Sequence, residues 1–290
     1  MKPLFILLLL CTGLHAQNTP GTLLWEVSRQ GSPFKSYLFG TFHEVEPSFF
    51  ATLHNAVAKL SAAEQVFVEE SSAQASSSAA MFSQLGTWSR PQWDSLLTPG
   101  QQAVFQEFTG RAERPDFYKL PPLVLNRTVS GMYFLEFCPV AARSSYEMLD
   151  TYIERLARHQ QKPVSSLDRK QSDVLQQAAA TRSAAQDSMY ARYCIDWMQK
   201  MLQDDTKDCA LLDKYKRFEV DYQLDTDLSQ TLDGAPLLIE RNRQWIATLE
   251  TAMTSKNCFV AVGLRHLFYK QGLIEQLRAR GFEVTPIAAI

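Results

Sequence analysis

Near the end of the chain stands Val260-Ala261-Val262-Gly263-Leu264-Arg265-His266, and near its start stands Tyr37-Leu38-Phe39-Gly40-Thr41-Phe42-His43. Each stretch is an apolar strand followed by Gly-x-x-His. Glycine permits a sharp exit from a strand, and the histidine then lies at the strand's C-terminal edge, where ligand sites form on sheets. Twelve glycines and five histidines in 290 residues would give roughly 0.2 such matches by chance, so two behind similar strands indicate a shared site.

The residues around these two stretches predict similar units at the two ends of the chain. At the start, apolar runs at 23–29 and 36–40 predict a hairpin, and a helix with its apolar positions at 49–60 leads to a strand at 65–69. At the end, a strand at 258–262 is followed by a helix that stops at Gly281 and by a last strand. One shared sheet would satisfy the strand edges of both units.

The middle of the chain is predicted to be mostly helical. Apolar stripes at 190–201 and 211–222 are explained by packing between antiparallel helices, without a cofactor. A helix at about 145–160 leads to a central strand at 162–168, and the Ser/Ala-rich segment 71–80 is predicted to be a loop. The fold class expected is α+β, with a central sheet built from two pseudo-equivalent strand-Gly-x-x-His-helix-strand halves and a large helical middle region.

The first sixteen residues have the pattern of a cleaved secretory signal. Lys2 supplies the positive charge, 4–11 form an apolar stretch too short to cross a bilayer, and Ala16 suits signal peptidase. Cys11 raises a lipoprotein alternative, although Leu10 stands where a lipobox needs a small residue. We therefore expect a signal peptide at 1–16, a single domain at 17–290 without a transmembrane segment, and secretion, with the periplasm as the expected compartment.

Composition excludes one large class of partners. The chain is 46% hydrophobic and 21% charged, as in ordinary globular proteins, and its formal net charge is −2. Such a balance gives no strong positive field for phosphate backbones, so nucleic acid is not an expected partner.

The mature chain would keep four cysteines, an even number that predicts mostly oxidised thiols in an exported protein. Cys138, Cys194, Cys209 and Cys258 allow three complete pairings, and sequence does not choose among them. Geometry argues against a Cys194–Cys209 bridge: in a tight helical hairpin the two would lie roughly 12 Å apart, at about 1.5 Å rise per residue. That bridge would require the first helix to end early.

A carboxylate pair joins the two histidines. Glu69 and Glu70 end the strand expected beside the first Gly-x-x-His strand, and two imidazoles with one carboxylate are a common ligand set for a divalent metal ion that activates water. The remaining acid could then act as general base. The simpler alternative is that each histidine caps a strand exit and the acids form a solvated strand end. His54 and His159 are expected on the surface, on polar-flanked helical stretches.

Several of these stretches resemble the TraB/GumN family, which is related to the Tiki metalloproteases. The resemblance covers about residues 22–288. It is carried by segments that share the family's motifs, namely 24–27, 36–43, Val68-Glu69, Glu240-Arg241-Asn242-Arg243 and 259–267. It implies an α+β fold and metal-dependent peptide hydrolysis by His43, His266 and Glu69, with an ion of the Zn, Mn or Co class and a peptide or protein as substrate.

This chain departs from the family pattern at two acids. The family often has Glu-x-Asp where Glu69-Glu70-Ser71 stands here, so Glu70, the second candidate catalytic acid, has changed register and is expected to point away from Glu69. The family also tends to have Leu-Glu where Leu167-Asp168 stands, which shortens the side chain that carries this charge.

The role of Arg241 and the activity itself each allow alternatives. As a catalytic group, Arg241 could orient a carboxylate or an oxyanion of the substrate. The alternative is that it forms a structural ion pair with a carboxylate of the sheet. The leading hypothesis is a secreted metal-dependent hydrolase, with peptidase activity favoured. The alternatives are an envelope module that binds haem, iron or another metal without turnover, which the related ChaN-like proteins suggest, and a pocket without metal that serves in assembly.

Overall fold

The computed structural model describes residues 21–71, 88–138, 147–168, 182–230 and 236–290. Within these ranges six strands form one mixed sheet in the order β4-β3-β5-β2-β1-β6. The strands are β1 Leu24–Ser28, β2 Lys35–Thr41, β3 Gln65–Val68, β4 Val164–Ser166, β5 Cys258–Gly263 and β6 Glu283–Ile287. The predicted signal peptide and the predicted loop beyond Ser71 lie outside the described residues.

Ten α-helices lie within the described ranges, so the predicted α+β class is confirmed. They are α1 Pro47–Thr52, α2 His54–Ala62, α3 Arg90–Leu96, α4 Pro99–Arg111, α5 Pro122–Met132, α6 Leu149–His159, α7 Ala184–Leu202, α8 Ala210–Lys216, α9 Pro236–Met253 and α10 Leu273–Arg278. Capping boxes at Ser89, Thr98 and Ser183 begin α3, α4 and α7. At Thr98 and Ser183 the hydroxyl oxygen accepts a free backbone N–H of the first turn. Across the same ranges, no helix combines the length and apolar character needed to cross a bilayer.

The two Gly-x-x-His strands are direct neighbours in the sheet. β2 and β5 run parallel, with Gly40 opposite Val262 and Thr41 opposite Gly263. Parallel neighbours in this register end at the same edge, so the residues that follow them share one side of the sheet.

Two predicted strand positions are wrong. β3, which leads to Glu69, pairs with β5 and not with β2, so the second Gly-x-x-His strand is inserted between them. β4 is not central: it has three residues and lies at the edge of the described sheet, where it pairs with β3. An apolar run alone identifies a strand without giving its place in the sheet.

Side chains alternate between two apolar layers, one on each face of the sheet. Phe39 of β2 and Phe259 of β5 pack in the layer that contains α1, α2 and α5–α7. Leu38 and Val260 point the other way, into the layer formed with α9 and α10. The helices that follow β2, α1 and α2, therefore lie on one face of the sheet. The helix that follows β5, α10, lies on the opposite face. The description as two pseudo-equivalent halves stays a prediction.

The middle helices differ in length from those predicted. The helix expected at about 145–160 is α6, Leu149–His159. α7 begins at Ala184, before its predicted start, because Ser183 caps it. α8 ends at Lys216, well before the apolar stripe does, and Phe218 just beyond it has a φ of 60°, which a helix does not allow.

Two of the four cysteines form a disulfide, between Cys138 and Cys209. Cys194 and Cys258 are free and buried, so the expectation that most of these cysteines are oxidised is wrong. The reason is their position: Cys194 lies in the core face of α7, and Cys258 lies in the interior strand β5. The absence of a Cys194–Cys209 bridge agrees with the geometric objection to it.

Candidate metal and catalytic site

Three predicted site residues surround Gly263 at the end of β5. A Cβ atom placed on Gly263 would lie 3.0 Å from Glu69 Oε1, 3.8 Å from His266 Cδ2 and 3.9 Å from His43 Nε2. His43 follows β2, Glu69 follows β3, and His266 lies in the 3₁₀ turn Leu264–Leu267 after β5. Three separate strand ends thus bring these side chains to one point.

His43 is held through its Nδ1 atom. Nδ1 contacts an oxygen of Asp150, the second residue of α6, and the other oxygen of that carboxylate accepts from the Thr41 hydroxyl. The Asp150 charge raises the pKa of His43 to about 9, against the opposing effect of burial. This arrangement leaves Nε2 facing Gly263 and the cavity.

His266 is held in the same manner by Asn242 of α9. Asn242 donates through Nδ2 to the backbone oxygens of His266, at 3.1 Å, and Gln271, at 2.9 Å. Its oxygen is therefore the atom that faces His266 Nδ1, at 2.6 Å, so Nδ1 carries the proton and Nε2 keeps a lone pair. Burial lowers the pKa of His266 to about 3, and the ring packs against Trp245 at 4.3 Å between centroids.

Arg241 links the remaining groups. Its Nη2 donates to Glu69 Oε2 at 2.5 Å and to Asp168 Oδ2 at 2.7 Å, and its Nη1 lies 3.1 Å from His266 Nε2. The guanidinium also stacks over Trp245, 4.6 Å from the ring centroid, and Trp245 Nε1 donates to Asp168 Oδ1 at 2.8 Å. Arg241 therefore forms the structural ion pair that was one of its two predicted roles.

The Glu69 carboxylate is ionised although it is buried. Burial alone would raise its pKa, but the charge of Arg241, with smaller contributions from His266 and His43, holds the pKa well below its usual range. Its Oε1 atom also accepts the Gly263 backbone N–H at 2.6 Å and lies 3.5 Å from His266 Nε2. Glu69 thus presents a fixed negative charge between the two imidazoles.

A cavity of about 810 Å³ opens above these residues. Its floor includes His43, Glu69 and His266, and one wall is the face of α5 that carries Arg127. Much of the remaining surface is aromatic, formed by Phe42, Phe134, Tyr190, Tyr193, Trp197 and Tyr215. The space is large enough for several residues of a peptide, or for a cofactor of similar size.

Not every predicted site residue joins this arrangement. Glu70 is absent from the described residues that line the cavity. Nor does any group of three or more His, Cys, Asp or Glu side chains in the described ranges hold the geometry of a metal site as it stands. His54 and His159 are exposed, as expected.

Sequence reasoning missed Asp150 and Arg127. Asp150 lies far along the chain from His43, in the helix expected at about 145–160, and no local pattern pointed to it. Arg127 lies in the middle of α5, where a single charge between apolar residues looks like an ordinary surface position. Asp168 was noticed only as a departure from a motif, yet it is the most buried partner of Arg241, with its side chain 1% exposed.

Comparison with known proteins gives one match. A family model described as the TraB/PrgY/gumN family matches residues 23–286, nearly the whole chain. No curated protein and no solved structure matches this chain.

Proposed function

Since this chain belongs to the TraB/PrgY/gumN family, we propose that it is an exported metal-dependent hydrolase that cleaves peptides, with His43, His266 and Glu69 as the residues that hold the ion. The observation that carries the proposal is that both imidazoles contact an oxygen through Nδ1, while His266 Nε2 lies 3.5 Å from Glu69 Oε1 and His43 Nε2 faces Gly263 beside Glu69. The Cys138–Cys209 disulfide supports export, because disulfides persist in oxidising compartments.

These residues suit a divalent ion in kind. Metal-binding histidines commonly donate Nδ1–H to a carboxylate or an amide oxygen, as both do here, and two imidazoles with one carboxylate leave coordination positions for water and substrate. Arg241 competes with a metal ion for two of these atoms, because it donates a hydrogen bond to Glu69 Oε2 and its Nη1 lies 3.1 Å from His266 Nε2. At His43, an ion on Nε2 would replace the proton that Asp150 favours.

Each residue has a distinct part in the proposed reaction. When bound, the ion would polarise the substrate carbonyl and lower the pKa of a water molecule. Asp150 and Asn242 keep the two imidazoles in the orientation that exposes Nε2. Arg241 keeps Glu69 ionised. If His266 Nε2 were to hold an ion, the Arg241 Nη1 group that now lies 3.1 Å from it would be available to donate to an oxyanion on the substrate carbonyl.

The test is elemental analysis of the purified protein before and after chelation, together with hydrolysis of a mixed peptide library followed by mass spectrometry. We expect about one equivalent of a Zn-, Mn- or Co-class ion, cleavage of peptides, and loss of both after chelation with recovery on re-addition of the metal. Metal-independent cleavage, or no metal and no cleavage, would contradict the proposal.

A second candidate is a binding module that holds haem or iron without turnover. The aromatic walls of the cavity, which suit a flat apolar ligand above an exposed imidazole, favour it. Stoichiometric uptake of haem or iron by a protein that never cleaves the library would support this candidate over the hydrolase.

A further inference from the structure

One face of α5 forms a wall of the cavity and carries a cation. Leu123, Asn126, Arg127 and Ser130 all line the cavity, and their spacing places them on the same side of the helix. α5 therefore presents Arg127 to the same space that His43, Glu69 and His266 face from the sheet.

Arg127 has no partner for its guanidinium. Within the described part of the chain its side chain makes no hydrogen bond and no ion pair. The residue is exposed and lines the cavity. Glu44, Glu69 and Asp168 attract its charge without forming an ion pair with it, and Arg241 repels it.

Arg241, which contacts His266, is already held between Glu69 and Asp168. On the α5 wall the cation is Arg127, and within the described residues its full set of donors is available to a ligand. The neighbouring Asn126 has a side-chain oxygen that is buried without a hydrogen-bond partner in the described chain, so this wall carries a second unmet polar group. The feature of this wall that a ligand can reach is the Arg127 guanidinium, which suits an anionic group.

The cavity also has an apolar surface. It is lined by Phe134, Trp197 and Tyr193, and Tyr193 is 41% exposed although its ring is large and apolar. A ligand that satisfies both features must place a negative charge on Arg127 and an apolar group against the aromatic rings.

We propose that Arg127 binds a carboxylate of the peptide substrate, and that the protein selects peptides in which a carboxylate stands beside an aromatic or large aliphatic side chain. The planar guanidinium can make two parallel hydrogen bonds to a carboxylate, which gives both affinity and orientation. The proposal rests on the proposed peptidase function, because it names the substrate class of that site. The carboxylate can be the C-terminus of the peptide or the side chain of Asp or Glu.

Calorimetry with four peptides tests the proposal. The first pair is N-acetyl-Ala-Phe with a free C-terminal acid and the same peptide as its amide. The second pair is N-acetyl-Ala-Asp-Phe-amide and its Asn counterpart. We expect at least one acid to bind about tenfold to a hundredfold more tightly than its neutral partner, which corresponds to a charge-assisted hydrogen-bond pair. The pair that shows the difference identifies the source of the carboxylate.

Variants then assign the difference to Arg127. Arg127→Gln should abolish the preference for the acid while leaving the affinity for the neutral peptide unchanged, and Arg127→Lys should restore part of the preference. The matched control is Arg192→Gln, an exposed arginine of α7 that does not line the cavity and should behave like the parent. Thermal melting of each variant verifies the fold.

The proposal is overturned if acids and neutral peptides bind the parent protein equally, if no probe binds at millimolar concentration, or if Arg127→Gln keeps the preference. Failure of the proposed function gives a different result, since binding is measured without turnover. If the protein prefers acidic peptides through Arg127 but never cleaves a peptide, carboxylate binding by Arg127 is supported and the proposed hydrolase activity is contradicted.

Discussion

Arg241 is the residue on which the electrostatics of the site depend. One guanidinium contacts two carboxylates, a neutral imidazole and an indole ring, and it is 9% exposed. Such a buried cation is tolerable only while its partners remain ionised. The family motif around Arg241 could be recognised in the sequence, but its choice between substrate and ion pair depends on Glu69 and Asp168, which are distant along the chain.

Removing Asp168 should therefore destabilise the fold. In Asp168→Ala the buried Arg241 keeps only Glu69, and breaking a buried ion pair costs about 3–5 kcal/mol. Urea unfolding measures the loss. The matched control is Glu107→Gln, which breaks the exposed pair between Arg111 and Glu107 and should change stability by no more than about 0.5 kcal/mol. Equal stability of the two variants would contradict the prediction.

His43 offers the cleanest test of the proposed ion. Its side chain is 38% exposed, so His43→Ala removes a metal ligand without opening a core cavity. We expect loss of bound metal with only a small decrease in melting temperature, which comes from the lost contact with Asp150. Elemental analysis and thermal melting measure the two effects. His54→Ala, at an exposed histidine outside the site, is the control. His266→Ala is less suitable, because that ring is buried against Trp245.

At the scale of elements, the close approach between β2 and the 3₁₀ turn after β5 requires glycine. A Cβ atom on Gly40 would lie 2.4 Å from Leu264 Cδ1 and 3.1 Å from Leu267 Cδ1. Gly40→Ala should therefore destabilise the protein by about 1–3 kcal/mol in urea unfolding, as overpacking does. In contrast, a Cβ atom on Gly110 in α4 would have nothing within 4 Å, so Gly110→Ala should raise the free energy of unfolding by up to about 1 kcal/mol. If both variants lose stability equally, the steric argument fails.

The two free cysteines should be unreactive in the native state. Burial raises the pKa of Cys258 to about 11 and that of Cys194 well above its usual range, so the nucleophilic thiolate is scarce at pH 8 and shielded from reagent. We expect iodoacetamide to label both only after denaturation, while peptide mapping without reduction finds Cys138 linked to Cys209. Labelling of Cys194 or Cys258 in folded protein would contradict this.

The elements also show where sequence reasoning reached its limit. Apolar runs with glycine exits located β2 and β5, and the apolar stripe at 190–201 located α7, because these signals are local. The insertion of β5 between β2 and β3, the edge position of β4 and the Asp150–His43 contact are set by long-range packing, which no local period encodes. The convergence of His43, Glu69 and His266 could be anticipated because parallel strands share a C-terminal edge.

For the molecule as a whole, the two apolar layers share the same six strands. Leu38 and Phe39 are adjacent in β2 yet belong to different layers, so neither layer can lose its packing while the sheet that supports both remains. We expect one unfolding transition, with the same urea midpoint by far-UV circular dichroism and by tryptophan fluorescence. Trp93 reports on one layer and Trp245 on the other. Two separated midpoints would show that the layers unfold independently.

The place of β5 in the sheet also has a consequence for biosynthesis. β5 separates β2 from β3, so these two strands, the second and third to be made, lack the strand that joins them until residues 258–263 have left the ribosome. Contacts between such distant parts of a chain form slowly, because a long loop must close before they add stability. The nascent chain therefore stays without its central sheet during most of translation. A polypeptide in that state can still be threaded through a translocation channel, as a chain proposed for export requires.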